Sequence, residues 1–133
     1  MKSKLLVSAL LLASACAAAR SNAASRFTGQ VPLQVTVRGS LYTGSATMTR
    51  GAGNQTSGTL AIAGPVEVKG TLAGRIANNE LTLDLTYDIA QNGCKGTMRL
   101  NGPIGSSTVV EGTAEAQDSC VGRMTGTFKL GKP

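Results

Sequence analysis

The sequence predicts an all-β domain, an eight-stranded antiparallel meander closing into a small up-and-down barrel, and three observations predict it. One short phrase recurs, a glycine, a threonine and an apolar residue: Gly58-Thr59-Leu60, Gly70-Thr71-Leu72, Gly96-Thr97-Met98 and Gly126-Thr127-Phe128, with a weaker Gly112-Thr113-Ala114. In an extended chain the glycine and the apolar residue share one face and threonine takes the other. Apolar residues also alternate from Val31, Leu33, Val35 and Val37 almost to the end, and no stretch shows an apolar period of 3.6. Finally, the segments between the alternating runs are short and rich in glycine and asparagine, residues that form tight turns through positive φ or local side-chain hydrogen bonds.

Taken in order, the strands are expected at 30–38, 40–49, 56–63, 66–76, 80–89, 94–101, 106–116 and 121–131. Turns fall at 50–55, Gly64-Pro65, Asn78-Asn79, Gln91-Asn92-Gly93, 101–105 and 117–119. Connections this short pair each strand with the next. The two faces differ sharply. Leu81, Leu83, Leu85, Tyr87 and Ile89 share one side of their strand, while Thr82, Asp84, Thr86 and Asp88 share the other, and the later strands repeat the division. A sheet with one apolar face and no helix to cover it must curl closed or fold over as a β-sandwich, and meander order favours the barrel. Glycines on the apolar face, such as Gly58, Gly70, Gly96 and Gly126, would relieve crowding where strands bend.

Residues 1–24 read as a secretory signal segment and 25–133 as the single barrel domain. Lys2 and Lys4 precede an apolar run from Leu5 to Ala13 and then small residues, the layout of a secretory leader and too short for a bilayer span. Two processing routes fit. Ala17-Ala18-Ala19 or Ser21-Asn22-Ala23 suits cleavage and free release, whereas Leu12-Ala13-Ser14-Ala15-Cys16 resembles the lipobox of bacterial lipoproteins, which implies lipidation of Cys16. The expected location is therefore outside the cell or in the periplasm, free or anchored to the outer membrane by lipid. Of three cysteines, Cys94 and Cys120 remain in the body, and a lone pair in an oxidising compartment points to a disulfide. Both lie at the same barrel end, two strands apart, so the loops carrying them would have to lean together.

Composition narrows the chemistry. With Lys2, Lys4 and Arg20 set aside, ten of thirteen basic residues remain against seven acidic ones, a net +3 scattered singly, which argues against a nucleic-acid partner. There is no histidine, so the usual general base and commonest metal ligand are missing. Two thiols are too few for a zinc site, and no metal or cofactor is expected. Asp84 with Asp88 and Glu111 with Glu115 share strand faces, the residue type of a glycosidase pair, but point to the solvated side. The chain is accordingly expected to be a monomeric non-enzyme.

Two function classes follow. The first is a module binding an apolar small molecule inside the barrel, the architecture of lipocalin-like and avidin-like proteins, although the tryptophans that mark those families are missing here. Leu83, Leu85, Tyr87, Met98, Met124 and Phe128, the largest residues of the apolar face, would line its cavity. The second is a structural, interaction or inhibitor protein of the cell envelope with a filled core. A lesser alternative is an outer-membrane barrel with the apolar face outward, against which stand the four aromatics of the body, Phe27, Tyr42, Tyr87 and Phe128, too few for two girdles. A hollow interior favours the first class and a solid one the second.

Overall fold

A computed structural model of the chain describes residues 27–132. The expected leader, with Cys16, lies outside the described residues. Eight strands, β1 (Gly29–Val37), β2 (Ser40–Arg50), β3 (Gln55–Gly64), β4 (Val68–Ala77), β5 (Glu80–Ile89), β6 (Cys94–Pro103), β7 (Val110–Asp118) and β8 (Gly122–Leu130), follow one another around a closed barrel. Each pairs antiparallel with the next, and β8 closes on β1 from Leu33 opposite Leu130 to Val37 opposite Gly126. That last ladder removes both sheet edges, so the sandwich alternative does not form.

Local chemistry sets the turns. Arg38-Gly39 and Asn78-Asn79 are two-residue connections with positive φ at both positions, the geometry whose twist matches a hairpin. β7 begins four residues later than the alternation suggests. The serines of the stretch before it explain the delay, since Ser107 Oγ accepts from Val109 N at 3.2 Å, a local bond that competes with ladder pairing. The loop is instead held by Ile104 N donating to the Asn79 carbonyl at 2.7 Å.

The apolar face turns inward. Val31, Leu33, Leu60, Leu72, Leu81, Leu83, Leu85, Leu100, Phe128 and Leu130 are all buried, and Phe27 joins them just ahead of β1. Threonines and charges point out, with Arg99 Nε 2.7 Å from Asp84 Oδ1 across the β5–β6 ladder. This orientation is the reverse of a transmembrane barrel, whose lipid-facing outside is apolar. The glycines of the repeated phrase sit where strands coil tightly. A Cβ at Gly58 would strike the Thr47 carbonyl oxygen, and one at Gly126 the Thr36 carbonyl oxygen.

Candidate binding cavity

One end of the barrel carries the connections β1–β2, β3–β4, β5–β6 and β7–β8. A cavity of about 350 Å³ opens there. Its wall is Val35, Val37, Leu60, Ile62, Val66, Val68, Leu85, Tyr87, Ile89, Met98 and Met124, with Leu33 below and Arg38, Ser40, Tyr42, Asn92, Asp118 and Val121 about the mouth. Val121 is 50% exposed, so the mouth meets solvent. The volume falls within the range of small-molecule sites, which combine a mostly apolar wall with a few placed polar groups.

Of the residues expected to line it, Leu85, Tyr87, Met98 and Met124 do so. Leu83 and Phe128 do not. They are 0% and 2% exposed and belong to the packed half beneath the cavity, where Leu81, Leu100, Met48 and Leu130 fill the lumen. The physical reason is strand tilt. Residues sharing the apolar face of one strand lie at different depths, and Leu83 sits one full inward step below Leu85. Sequence parity assigns a face but not a height.

The most ordered part of the mouth spans three strands. Tyr87 on β5, Gly96 on β6 and Asp118 on β7 are in register on the inner face. Because Gly96 has no side chain, the Tyr87 ring lies over it and its hydroxyl donates to Asp118 Oδ2 at 2.5 Å, two strands away. A Cβ at Gly96 would sit 2.8 Å from that hydroxyl and would strike the Gln117 carbonyl oxygen. The other carboxylate oxygen, Oδ1, accepts from Cys120 N at 2.8 Å and Val121 N at 3.2 Å, an Asx turn that shapes the β7–β8 connection. Burial pushes the Tyr87 phenol well above its usual range, and donation to the charged Asp118 pushes it the same way. Burial also works to raise Asp118, but its three hydrogen bonds outweigh that and hold the carboxyl below its ordinary value.

Beside this row, Cys94 and Cys120 are disulfide-bonded with Cα atoms 5.6 Å apart. They are not two strands apart, as the sequence suggested. Cys120 follows the end of β7, the direct neighbour of β6, and Ser119 N donates to the Lys95 carbonyl at 2.8 Å, so the ladder continues to the cysteines without any leaning of loops. Cys94, Asp118 and Cys120 place ligand-type atoms within 4.8 Å of one another, yet the disulfide occupies both sulfurs and leaves a single carboxylate, too little to hold a metal. Three of the four strand carboxylates singled out in the sequence are engaged on the outer face, Asp84 with Arg99, Glu111 with Lys129 at 3.7 Å and Glu115 with Arg123 at 3.5 Å, and Asp88 is exposed on the same side.

The arrangement has a counterpart among solved structures. The chain resembles a redesigned β-barrel, mFAP1, in a structure bound to DFHBI: 18% identity, a TM-score of 0.55, covering 83% of this chain and 98% of that one. The likeness is one of fold. No protein-family model and no curated protein sequence matches the chain.

The sequence reading missed Asp118, Tyr42 and Arg38. Asp118 had a legible signal, because it continues the inward parity of Ala114 and Ala116 and is a carboxylate on an apolar face. Arg38 had none, since its place over the mouth follows from barrel closure.

Proposed function

We propose that this barrel is a non-enzymatic binding module that takes an apolar small molecule into its open half and works in an oxidising compartment outside the cytoplasm. The observation that carries the reading is the cavity of about 350 Å³, apolar in its wall and open at one end. A fold resembling a barrel solved with a small molecule bound supports it. Support for binding rather than catalysis comes from the absence of histidine and from a mouth whose carboxylate already accepts from Tyr87 and whose two cysteines are bridged to each other. The disulfide and the signal-like leader support export, free or lipid-anchored at Cys16.

The direct test is titration of the secreted body with N-phenyl-1-naphthylamine, an uncharged probe that brightens in apolar surroundings. Saturable binding of one probe per chain, with a blue-shifted emission, is expected. No saturable signal up to the probe's solubility limit would return the protein to the envelope-interaction class.

A further inference from the structure

The mouth of the cavity is electrostatically lopsided, and the imbalance names a ligand class. Two lining residues carry full charge, Arg38 and Asp118. They are not equivalent. Asp118 is 6% exposed and both its oxygens accept hydrogen bonds from the protein itself, one from Tyr87 and two from the backbone of the β7–β8 connection. Its charge is spread into groups that already face it, and no donor is needed from a ligand. Arg38 is the opposite case. Among the described residues its side chain makes no hydrogen bond or ion pair, as is also true of Arg50, Arg75, Lys95 and Lys132, whereas Lys69, Arg99, Arg123 and Lys129 each have an acidic partner; of the unpaired cations Arg38 is the one that lines the cavity.

Arg38 also occupies a position that does not favour it. It is the first residue of the two-residue β1–β2 turn with φ of 52°, a left-handed conformation that suits glycine or asparagine and is uncommon for a long side chain. There the arginine stands at the rim directly after Val37, whose side chain is part of the apolar wall. Ser40 and Asn92 add neutral polar groups at the same rim. A planar guanidinium with free donors, poised above an apolar well, is matched by a ligand with an anionic head and a hydrocarbon body.

We propose that the cavity selects single-chain anionic amphiphiles, the carboxylate or other acidic head on Arg38 and the chain running down past Tyr87 and Leu85 toward Met98. The inference rests on the binding reading above and adds the sign of the head group. An amine ligand seated on Asp118 is the rival arrangement. It would have to compete with three donors that already satisfy that carboxylate.

The test separates the two levels. N-phenyl-1-naphthylamine, being uncharged, reports whether the cavity binds at all. Its displacement by decanoate, decan-1-ol and decylammonium, each below its aggregation threshold, reports the head-group preference. Decanoate is expected to displace it at roughly one tenth the concentration decan-1-ol needs, the factor expected from one charge-assisted contact, and decylammonium is expected to be weakest. Arg38→Asn, which suits the left-handed turn, should bring decanoate down to the level of decan-1-ol, the reading being the ratio of the two displacing concentrations within each protein. Arg38→Lys should keep part of the advantage, and added salt should shrink it. Equal displacement by decanoate and decan-1-ol in the wild type, stronger displacement by decylammonium, or an undiminished decanoate preference in Arg38→Asn would each overturn the proposal while leaving the cavity reading intact. Failure of the probe itself to bind would remove the cavity reading and this proposal with it.

Discussion

The two halves of the barrel are made from the same eight strands and the same inward alternation, yet one half is solid and the other hollow. In the solid half, at the end with the β2–β3, β4–β5 and β6–β7 connections, missing side chains are covered by neighbours. Gly74 leaves a gap, and Leu83 Cδ2 from the adjacent strand lies where its Cβ would be. In the hollow half the row Gly70, Tyr87, Gly96, Asp118 also loses two side chains, but the one large residue in it is drawn sideways. The Tyr87 ring leans over Gly96 to reach Asp118, so it lies along the wall instead of across the lumen. A polar bond thereby shapes an apolar cavity. What decides whether such a barrel is hollow is less the number of glycines than whether the large neighbour of each glycine is free to fill the space.

The sharpest way to break this contrast is to truncate one side chain in each half. Phe128→Ala in the solid half should destabilise the protein by about 3–5 kcal/mol, since it removes buried contacts and leaves a void in close-packed surroundings. Met98→Ala in the cavity wall should destabilise by no more than about 2 kcal/mol, at or below the low end for methionine truncations, because the space it vacates joins an existing hollow. Denaturant unfolding of both variants measures the difference, and titration with the uncharged probe should show altered affinity for Met98→Ala. Equal losses from the two truncations would mean that the upper half is as tightly packed as the lower one.

That contrast also marks the limit of what the sequence could show. Strand order, barrel closure and the inward face were readable because each follows from a period of two and short turns, and the strand expected at 80–89 coincides with β5. The pairing partner of Cys94 was readable from the cysteine count. The height of each inward residue was not, because it depends on strand tilt and on the stagger of β1 against β8, which no single strand encodes. Hence Leu85, Tyr87, Met98 and Met124 reach the cavity while Leu83 and Phe128, chosen by the same rule, pack below it. The short path from Cys94 to Cys120 was hidden for a related reason, since it required knowing that β7 runs on to Asp118 and carries Cys120 beside β6.

Removing the disulfide probes the rim of the hollow half without touching the solid one. In the chain-entropy picture, bridging residues 26 apart is worth about 3.5 kcal/mol, and a Cys94→Ser, Cys120→Ser double variant should lose an amount near that. Ser119 and Lys95 still hold the two strands together through the backbone bond and through Ser119 Oγ, which accepts from Lys95 N at 3.0 Å, so the rim should keep its ladder in the folded protein. Hydrogen exchange in the double variant is therefore expected to quicken first at the β5–β6 and β7–β8 connections and last in the solid half. Uniform acceleration across the barrel would show that the two halves unfold as one unit.

An effect smaller than those of the core truncation and the disulfide removal is also the most specific, because it addresses the bond that holds the cavity open. Tyr87→Phe removes a buried hydrogen bond to a charged acceptor and should lose about 1.5–3 kcal/mol at neutral pH. The freed ring would also lose its tether to the wall, so affinity for the uncharged probe should fall. The pH dependence gives this loss a signature. Asp118 titrates lower in the folded protein than in the unfolded chain, so the stability it contributes is complete above about pH 4, the unfolded carboxyl range, and fades as pH falls below it. Tyr87 titrates higher when folded, so its contribution is complete below about pH 10 and fades as pH rises through its folded value. The stability gap between wild type and Tyr87→Phe should therefore be flat across the middle of the range and narrow at both extremes. On the acid side the variant should keep part of the wild-type dependence, because Cys120 N and Val121 N still donate to Asp118. Denaturant midpoints at a series of pH values measure the gap. A gap unchanged at high and low pH would mean that the tyrosine contributes only its bulk, and the wall-hugging ring would then need another cause.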